Sequence, residues 1–208
     1  MGRYISTADV RTRLGSEKTT KDDIIDDEIA AAEAQIDDYV SRSFDLYTDF
    51  GTGANFATDA VARLFVPDRT QWTWVDDFVY EDSDTVVEKR DSLTGSWTAL
   101  TKDTDFQLEP INQRMNNKSW ATERIRMLTG SLVIDSFPTL RITARFGWPE
   151  VPAQIKSAAL LQASKLMDRQ DSPAGTMGFD GFGAVVRVMS GLDRDAEKLV
   201  APFARPLI

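Results

Sequence analysis

The sequence contains no cysteine and no histidine among its 208 residues. Without cysteine there is no disulfide, no thiolate metal site and no cysteine nucleophile. Without histidine, the Ser–His–Asp triad, the usual zinc ligands and the commonest general base are all missing. Because most of the usual catalytic groups are absent, we predict that the protein is not an enzyme and holds no metal and no cofactor.

Long hydrophobic runs and an excess of basic residues are missing as well. No run of about 18 apolar residues and no basic–apolar–small leader is present, so the sequence predicts neither a membrane span nor a signal peptide. The chain carries 24 Lys and Arg against 33 Asp and Glu, a net charge of −9. Since affinity for phosphates needs excess positive charge, we expect the protein not to bind nucleic acid tightly.

The longest uninterrupted helical pattern covers residues 153–170. Pro149 and Pro152 precede it, and Pro152 suits the first turn of a helix, where its missing N–H costs nothing. Its apolar side chains share one broad face, formed by Ile155, Ala159, Leu160, Ala163, Leu166 and Met167. We predict that this is the central helix of a helical core.

Two helices are predicted before it, near the start of the sequence. The first covers residues 4–14, with Ser6 and Asp9 in capping-box positions and Gly15 at its end. The second covers residues 21–42 and is strongly acidic on its polar face. Its apolar stripe consists of Ile25, Ile29, Ala32, Ile36 and Tyr39.

Short β patterns fill most of the region between the helices. The predicted strands are residues 61–66, 72–75, 85–89, 97–100, 106–109, 123–128 and 140–146. In the last of these, apolar and polar residues alternate, which indicates a strand buried on one face. Strands of this length fit a small antiparallel sheet, sandwich or barrel.

We therefore predict an α+β fold in which a helical bundle, made of the N- and C-terminal helices, carries an inserted antiparallel β module. The predicted helical core, with a C-terminal arm and tail, comprises residues 1–46 and 149–208. The predicted β-rich module comprises residues 47–148.

Besides a purely structural role, two functional hypotheses based on individual residues remain open. Asp22 and Asp26 share a helix face and could bind a divalent cation in a carboxylate enzyme, although a solvated acidic face is favoured. The aromatic residues Trp72, Trp74 and Trp97 could bind carbohydrate or a host surface, although packing in a core or interface is favoured.

The order of the features resembles the head-to-tail adaptor (head–tail connector) proteins of long-tailed bacteriophages. The helix TTKDDIIDDEIAAAEAQIDDYVSRSF resembles the opening of such adaptors. Residues 141–206 are similar to the C-terminal half of adaptors found especially in phages of actinobacteria. In order, this part contains FGWP, VP with its long helix, RQDSP, a Gly-rich loop with VVRV, and a last segment ending in PFARP. The stretch WTALTKDTDFQLEPIN resembles the β module of the group.

The resemblance implies a structural virion protein of the neck, at the head–tail junction, assembled in the host cytoplasm. About twelve copies would close into a ring beneath the portal protein and extend the DNA channel. The ring would also present a surface for a stopper or tail-completion protein. DNA would pass through without specific binding, and no membrane would be involved. A possible acidic channel face is formed by Asp22, Asp23, Asp26 and Asp27, whose like charge would repel the duplex.

In the family that the sequence resembles, the C-terminal segment commonly docks on the portal. The portal-contact candidates are therefore Val185, Val186, Arg187, Val188, Leu199, Phe203, Arg205 and Leu207. We expect removal of residues 202–208 to leave the monomer folded and to weaken its attachment to the portal. The alternative function is the carbohydrate- or host-surface-binding module that would use the tryptophans of the β insertion.

Overall fold

The computed structural model describes residues 4–15, 22–44, 60–111, 114–115, 118–170, 176–178, 185–187 and 191–205. The chain separates into two compact units. The helical unit comprises Met1–Phe44 with Val151–Ile208, and the sheet unit comprises Asp45–Glu150. In chain order the elements are α1 (Thr7–Leu14), α2 (Asp22–Val40), β1 (Val61–Phe65), β2 (Trp72–Val79), β3 (Val86–Lys89), β4 (Thr98–Leu100), β5 (Phe106–Glu109), β6 (Arg114–Met115), β7 (Lys118–Ser119), β8 (Thr122–Met127), β9 (Leu140–Phe146), α3 (Ala153–Gln170), β10 (Thr176–Gly178), β11 (Val185–Arg187) and α4 (Arg194–Val200).

The first helix begins and ends where its capping residues predict. The Ser6 hydroxyl accepts a hydrogen bond from the Asp9 amide, and the Asp9 carboxylate accepts one from the Ser6 amide. Gly15 follows the helix in the left-handed conformation, at φ 63°, which glycine adopts without strain. Both ends of α1 are therefore fixed by local chemistry.

Helix α3 is the centre of the helical unit, as predicted, because it packs against α1, α2 and α4. Five of the six residues on its predicted apolar face are buried, and Leu160 is half-buried. Buried Ala158, Ala159 and Ala163 are small, so neighbouring helices can approach α3 closely. The predicted stripe of α2 is also buried, except that Tyr39 is exposed and Val40 is buried in its place.

One polar side chain of α3, Gln162, is fully buried and joins three parts of the helical unit. Its amide nitrogen donates to the Gln35 side-chain oxygen at 2.6 Å and to the Gly191 carbonyl at 3.3 Å. Its amide oxygen accepts from the Asp193 backbone amide at 2.8 Å. Asp193 is in turn the N-cap of α4, so Gln162 positions the start of that helix.

We expect Gln162→Leu to lower the free energy of unfolding by about 1–3 kcal/mol, because buried partners would lose their hydrogen bonds. Urea denaturation followed by circular dichroism measures this loss. Gln154→Leu is the control, since Gln154 lies on the same helix and is only half-buried. An equal effect of the two substitutions would contradict the assigned role of Gln162.

The sheet unit is built on a curled antiparallel sheet of seven strands. Its strands follow the order β4–β3–β9–β2–β8–β5, and β1 pairs with β9 away from this path. Strand β9 is the centre, because it pairs with β1, β2 and β3. Each of the seven strands predicted from the sequence is present. Residues 114–115 and 118–119 form a separate two-stranded ladder, β6–β7.

The sheet encloses a hydrophobic core of its own. Alternate residues of β9 are buried, as predicted for a strand with one solvent-facing side. They pack with apolar residues from the other strands and from the loop before β9: Val75, Phe78, Val87, Phe106, Leu108, Ile125, Met127 and Leu132. The strands are therefore held by their own interior as well as by backbone hydrogen bonds.

The predicted fold class, a helical bundle with an inserted β module, is wrong. The curled seven-stranded sheet is the main architectural element, and the four helices accompany it. Two of these helices are short, with eight residues in α1 and seven in α4. The prediction treated the strands as an appendage because a local pattern identifies strands without revealing that they share a large core.

Candidate functional site

The acidic face predicted on α2 divides into two parts that differ in their surroundings. Asp22 forms an ion pair with Arg11 of α1. The Asp26 carboxylate accepts a hydrogen bond from the Thr7 hydroxyl at 2.6 Å, and this bond is the main reason why its pKa lies below the ordinary value. These two acids thus help to hold α1 against α2.

The other two acids of this set face solvent. Asp23 and Asp27 are exposed, and the exposed positions continue along the helix through Ala30, Ala34 and Asp38. Steps of three and four residues place these positions on one side of a helix. The solvent-facing side of α2 is therefore a stripe with acidic ends and small apolar residues between them.

The C-terminal segment packs on its own helical unit as far as Arg205. The Arg205 amide donates to the Val40 carbonyl at the end of α2, at 3.0 Å. Phe203 is only 1% exposed, and its ring meets the edge of the Phe44 ring at a centroid distance of 5.6 Å. Phe44 meets Tyr4 in the same way at 5.9 Å. Three aromatic rings thus connect the two ends of the helical unit.

The structure separates the portal-contact candidates by their accessibility. Phe203 is buried, whereas Leu199 and Arg205 are half-buried and keep part of their surface in solvent. Val185, Val186 and Arg187 form strand β11. Val188 and Leu207 lie outside the described residues.

A polar anchor that the sequence analysis missed fixes the N-terminal segment to α2. Glu33 is 2% exposed, and its carboxylate accepts from the Tyr4 amide at 2.7 Å and from the Ile5 amide at 3.4 Å. The Tyr4 hydroxyl donates to Asp37 at 2.6 Å and accepts from the Phe44 amide at 2.9 Å. Burial is the main cause that raises the pKa of Tyr4, followed by the charge of Asp37. The spacing of Glu33, four residues after buried Ile29, is the sequence signal for its position.

Tryptophan and arginine side chains alternate on one face of the sheet unit. The Trp72 and Trp74 rings meet edge to face at 6.0 Å, and both are half-buried. The Arg124 guanidinium lies 4.9 Å from the Trp72 ring centre and 5.1 Å from that of Trp74. Arg69 lies 4.8 Å from the Trp72 ring centre. A guanidinium near an aromatic ring is a favourable contact that stabilises this face of the sheet unit.

Trp97 has a similar environment on the face beside β3 and β9. Arg90 and Arg141 each place a guanidinium 4.6 Å from its ring centre. Arg141 also binds Glu88 through two hydrogen bonds, of 2.6 and 2.8 Å. These bonds are the main cause that lowers the pKa of Glu88. Arginines therefore already stack on the three tryptophans of the carbohydrate hypothesis, which stays a prediction.

The hypothesis of a metal site on α2 receives no geometric support from the described residues. Within them, no group of three or more acidic side chains is placed to hold a metal ion. Asp22 and Asp26 contact α1 side chains instead.

No helix in the described ranges is both long enough and apolar enough to cross a bilayer.

Comparison with known proteins does not identify a family. No protein-family model and no curated protein matches the sequence. The likeness to phage adaptors therefore stays a prediction from the order of the sequence features.

Proposed function

We propose that the protein is a structural subunit of a bacteriophage neck, an adaptor that forms a ring beneath the portal. The observation that carries this proposal is the ordered set of features in residues 141–206, from the FGWP approach through the long helix to the PFARP segment. The ring would extend the DNA channel and join head to tail. A stopper or tail-completion protein would bind its far side.

The charge on α2 supports a position beside DNA that must slide without binding. Asp23 and Asp27 are exposed, and Asp38 continues their stripe toward the other end of the helix. A wall of exposed carboxylates repels phosphates, and the closed ring would repeat that wall around the channel. Asp22 and Asp26 contribute less to such a wall, because they contact Arg11 and Thr7.

The C-terminal segment supports a docking role because it is both anchored and partly open. Phe203 fixes the segment to its own unit, while Leu199 and Arg205 keep exposed surface on either side of that anchor. A surface on a rigid element loses less entropy on binding than a free tail does. Leu199 and Arg205 are therefore the described portal-contact candidates with the best access to a partner.

Electron cryo-microscopy of the purified protein mixed with its portal ring tests the proposal. We expect a cyclic assembly of this chain on one end of the portal. The control is an unrelated ring protein of similar size, which should remain bare. A protein that stays monomeric and shows no affinity for the portal at virion-like local concentration would overturn the proposal. A monomer in the absence of the portal would not, since a template can be required for ring closure.

A further inference from the structure

Strand β1 presents an open edge in the sheet unit. It pairs with β9 along its whole length and with none of the other described strands. Two of its large apolar residues are exposed, Val61 at 38% and Leu64 at 54%, and Val66 directly after it is 51% exposed. An open strand edge with exposed apolar side chains is a template for pairing with another chain.

The strand also lacks the devices that protect edges from such pairing. Its one charged residue, Arg63, is engaged with Asp76 at 2.8 Å and lies 4.2 Å from the Phe146 ring centre. It contains no proline and no bulge, and β1 and β9 keep a regular register over five residue pairs. Among the described residues, the edge is therefore regular and has no second strand paired with it.

The other two terminal strands of the same sheet are protected. Strand β4 has only three residues, two fewer than β1, so it offers a partner strand less backbone. Strand β5 ends at Glu109, which is ion-paired with Arg124 and Arg126, and charged side chains at an edge oppose pairing. Because protection is present at these two edges and missing at β1, we take the β1 edge to be an interface.

The helical unit contains a matching element, and no other described strand pairs with it. Strands β10 and β11 form an antiparallel ladder of three residue pairs. Within the described part of the chain, this ladder joins no larger sheet. A two-stranded ladder is marginally stable alone in water and gains stability when it adds to a sheet. Its strands carry one charged residue, Arg187, so their composition suits an apolar edge.

We propose that the β10–β11 ladder of one copy adds to the β1 edge of the next copy. This inference rests on the proposed ring, because a ring of identical subunits needs two different surfaces on each subunit. The β1 edge is the acceptor, and the ladder is the donor. Each addition would extend a seven-stranded sheet across the boundary between two copies and would satisfy backbone groups on both sides.

Cysteine crosslinking tests the pairing, because the natural sequence contains no cysteine. Acceptor variants carry Ala62→Cys or Leu64→Cys, and donor variants carry Met177→Cys or Val186→Cys. Each acceptor is mixed with each donor under mild oxidation, with the portal ring present. Because every chain has a single cysteine, a crosslink can form only between copies. We expect at least one mixture to give a crosslinked acceptor–donor dimer at roughly tenfold higher yield than the control, since only close residues form disulfides.

The matched control acceptor is Ala99→Cys, because Ala99 is also exposed on a terminal strand, β4, of the same sheet. Equal yields with Ala62→Cys, Leu64→Cys and Ala99→Cys would overturn the proposal. So would dominant crosslinks between two acceptor chains, which would mean that β1 edges pair with each other. A double variant with Ala62→Cys and Val186→Cys that closes only within single chains would also overturn it.

A charge on the edge provides a second test that does not need crosslinking. We expect Ala62→Lys to abolish assembly between copies without changing the melting temperature, because lysine on an open edge opposes strand addition. Ala99→Lys should assemble normally. Full assembly by the Ala62→Lys variant would contradict the proposal.

The two proposals can fail separately. Rings on the portal without an acceptor–donor crosslink would overturn the strand addition and leave the adaptor function standing. Crosslinked copies that never close on a portal would support the strand addition and count against the adaptor function.

Discussion

Phe203→Ala is expected to lower the free energy of unfolding of the helical unit by about 3–5 kcal/mol, as typical losses of a buried phenylalanine do. Phe203 is almost completely buried, and its ring contacts Phe44, which in turn contacts Tyr4. Alanine would leave a cavity between the C-terminal segment and the end of α2. Hydrogen exchange of backbone amides in α2 and α4 measures the loss and assigns it to this unit.

Leu199→Ala is the control for this substitution. Leu199 lies one turn earlier, on α4, and is half-buried, so a loss of about 1 kcal/mol is expected from its smaller buried area. It is also a portal-contact candidate. Leu199→Ala should therefore weaken portal binding while the monomer stays folded. Phe203→Ala should weaken portal binding because it destabilises the helical unit that presents the contact surface. Equal stability of the two variants would mean that the aromatic contacts contribute little.

This result bears directly on the expectation drawn from the sequence for residues 202–208. Their removal was expected to leave the monomer folded, because the resemblance implies that the segment docks on the portal. The structure gives the opposite expectation, since Phe203 and the Arg205 amide both contact the helical unit. We now expect that deletion to destabilise the monomer. A short segment with two prolines can thus anchor the end of the chain to its own unit.

Local structure could be predicted from the sequence because its signals are local. The capping box of Ser6 and Asp9 fixes the start of α1, and Asp193 caps α4 through the amides of the next turn. The alternation in β9 predicts its buried face, and the apolar spacing in α3 predicts which side faces its neighbours. Each of these features depends on residues a few positions apart.

The fold class and the buried polar contacts could not be predicted in this way. Seven short strands are compatible with many pairings, and only the tertiary structure reveals that β9 joins three neighbours in one curled sheet. Gln162 and Glu33 lie at helical spacing from buried apolar residues, where a polar side chain is not expected. They are buried because distant backbone groups, at Asp193 and Tyr4, supply their partners. The sequence also did not reveal that Asp22 and Asp26 contact Arg11 and Thr7, while Asp23 and Asp27 stay exposed.

Trp148→Ala is expected to lower the free energy of unfolding of the sheet unit by about 3–5 kcal/mol, through the large volume of a fully buried indole. Trp148 belongs to the FGWP sequence and is held by hydrogen bonding as well as by packing. Its indole nitrogen donates to the Asp77 carboxylate at 3.0 Å, and the neighbouring Gly147 amide donates to the Asp77 carbonyl at 2.7 Å. The Trp120 ring packs against it at 5.3 Å. Residue 148 thus ties the end of β9 to β2.

Two further variants separate the contributions of volume, hydrogen bonding and surface stacking to the stability supplied by tryptophan. Trp148→Phe keeps an aromatic ring but removes the N–H donor to Asp77, and a loss of about 1–3 kcal/mol is expected. Trp97→Ala removes a half-buried ring that stacks with Arg90 and Arg141, for which about 1 kcal/mol is expected. Urea denaturation followed by circular dichroism ranks the three variants without depending on tryptophan fluorescence. If Trp97→Ala lowered the free energy of unfolding as much as Trp148→Ala, Trp97 would contribute as much stability to the sheet unit as the buried Trp148. Arginine stacking alone cannot account for a loss of that size.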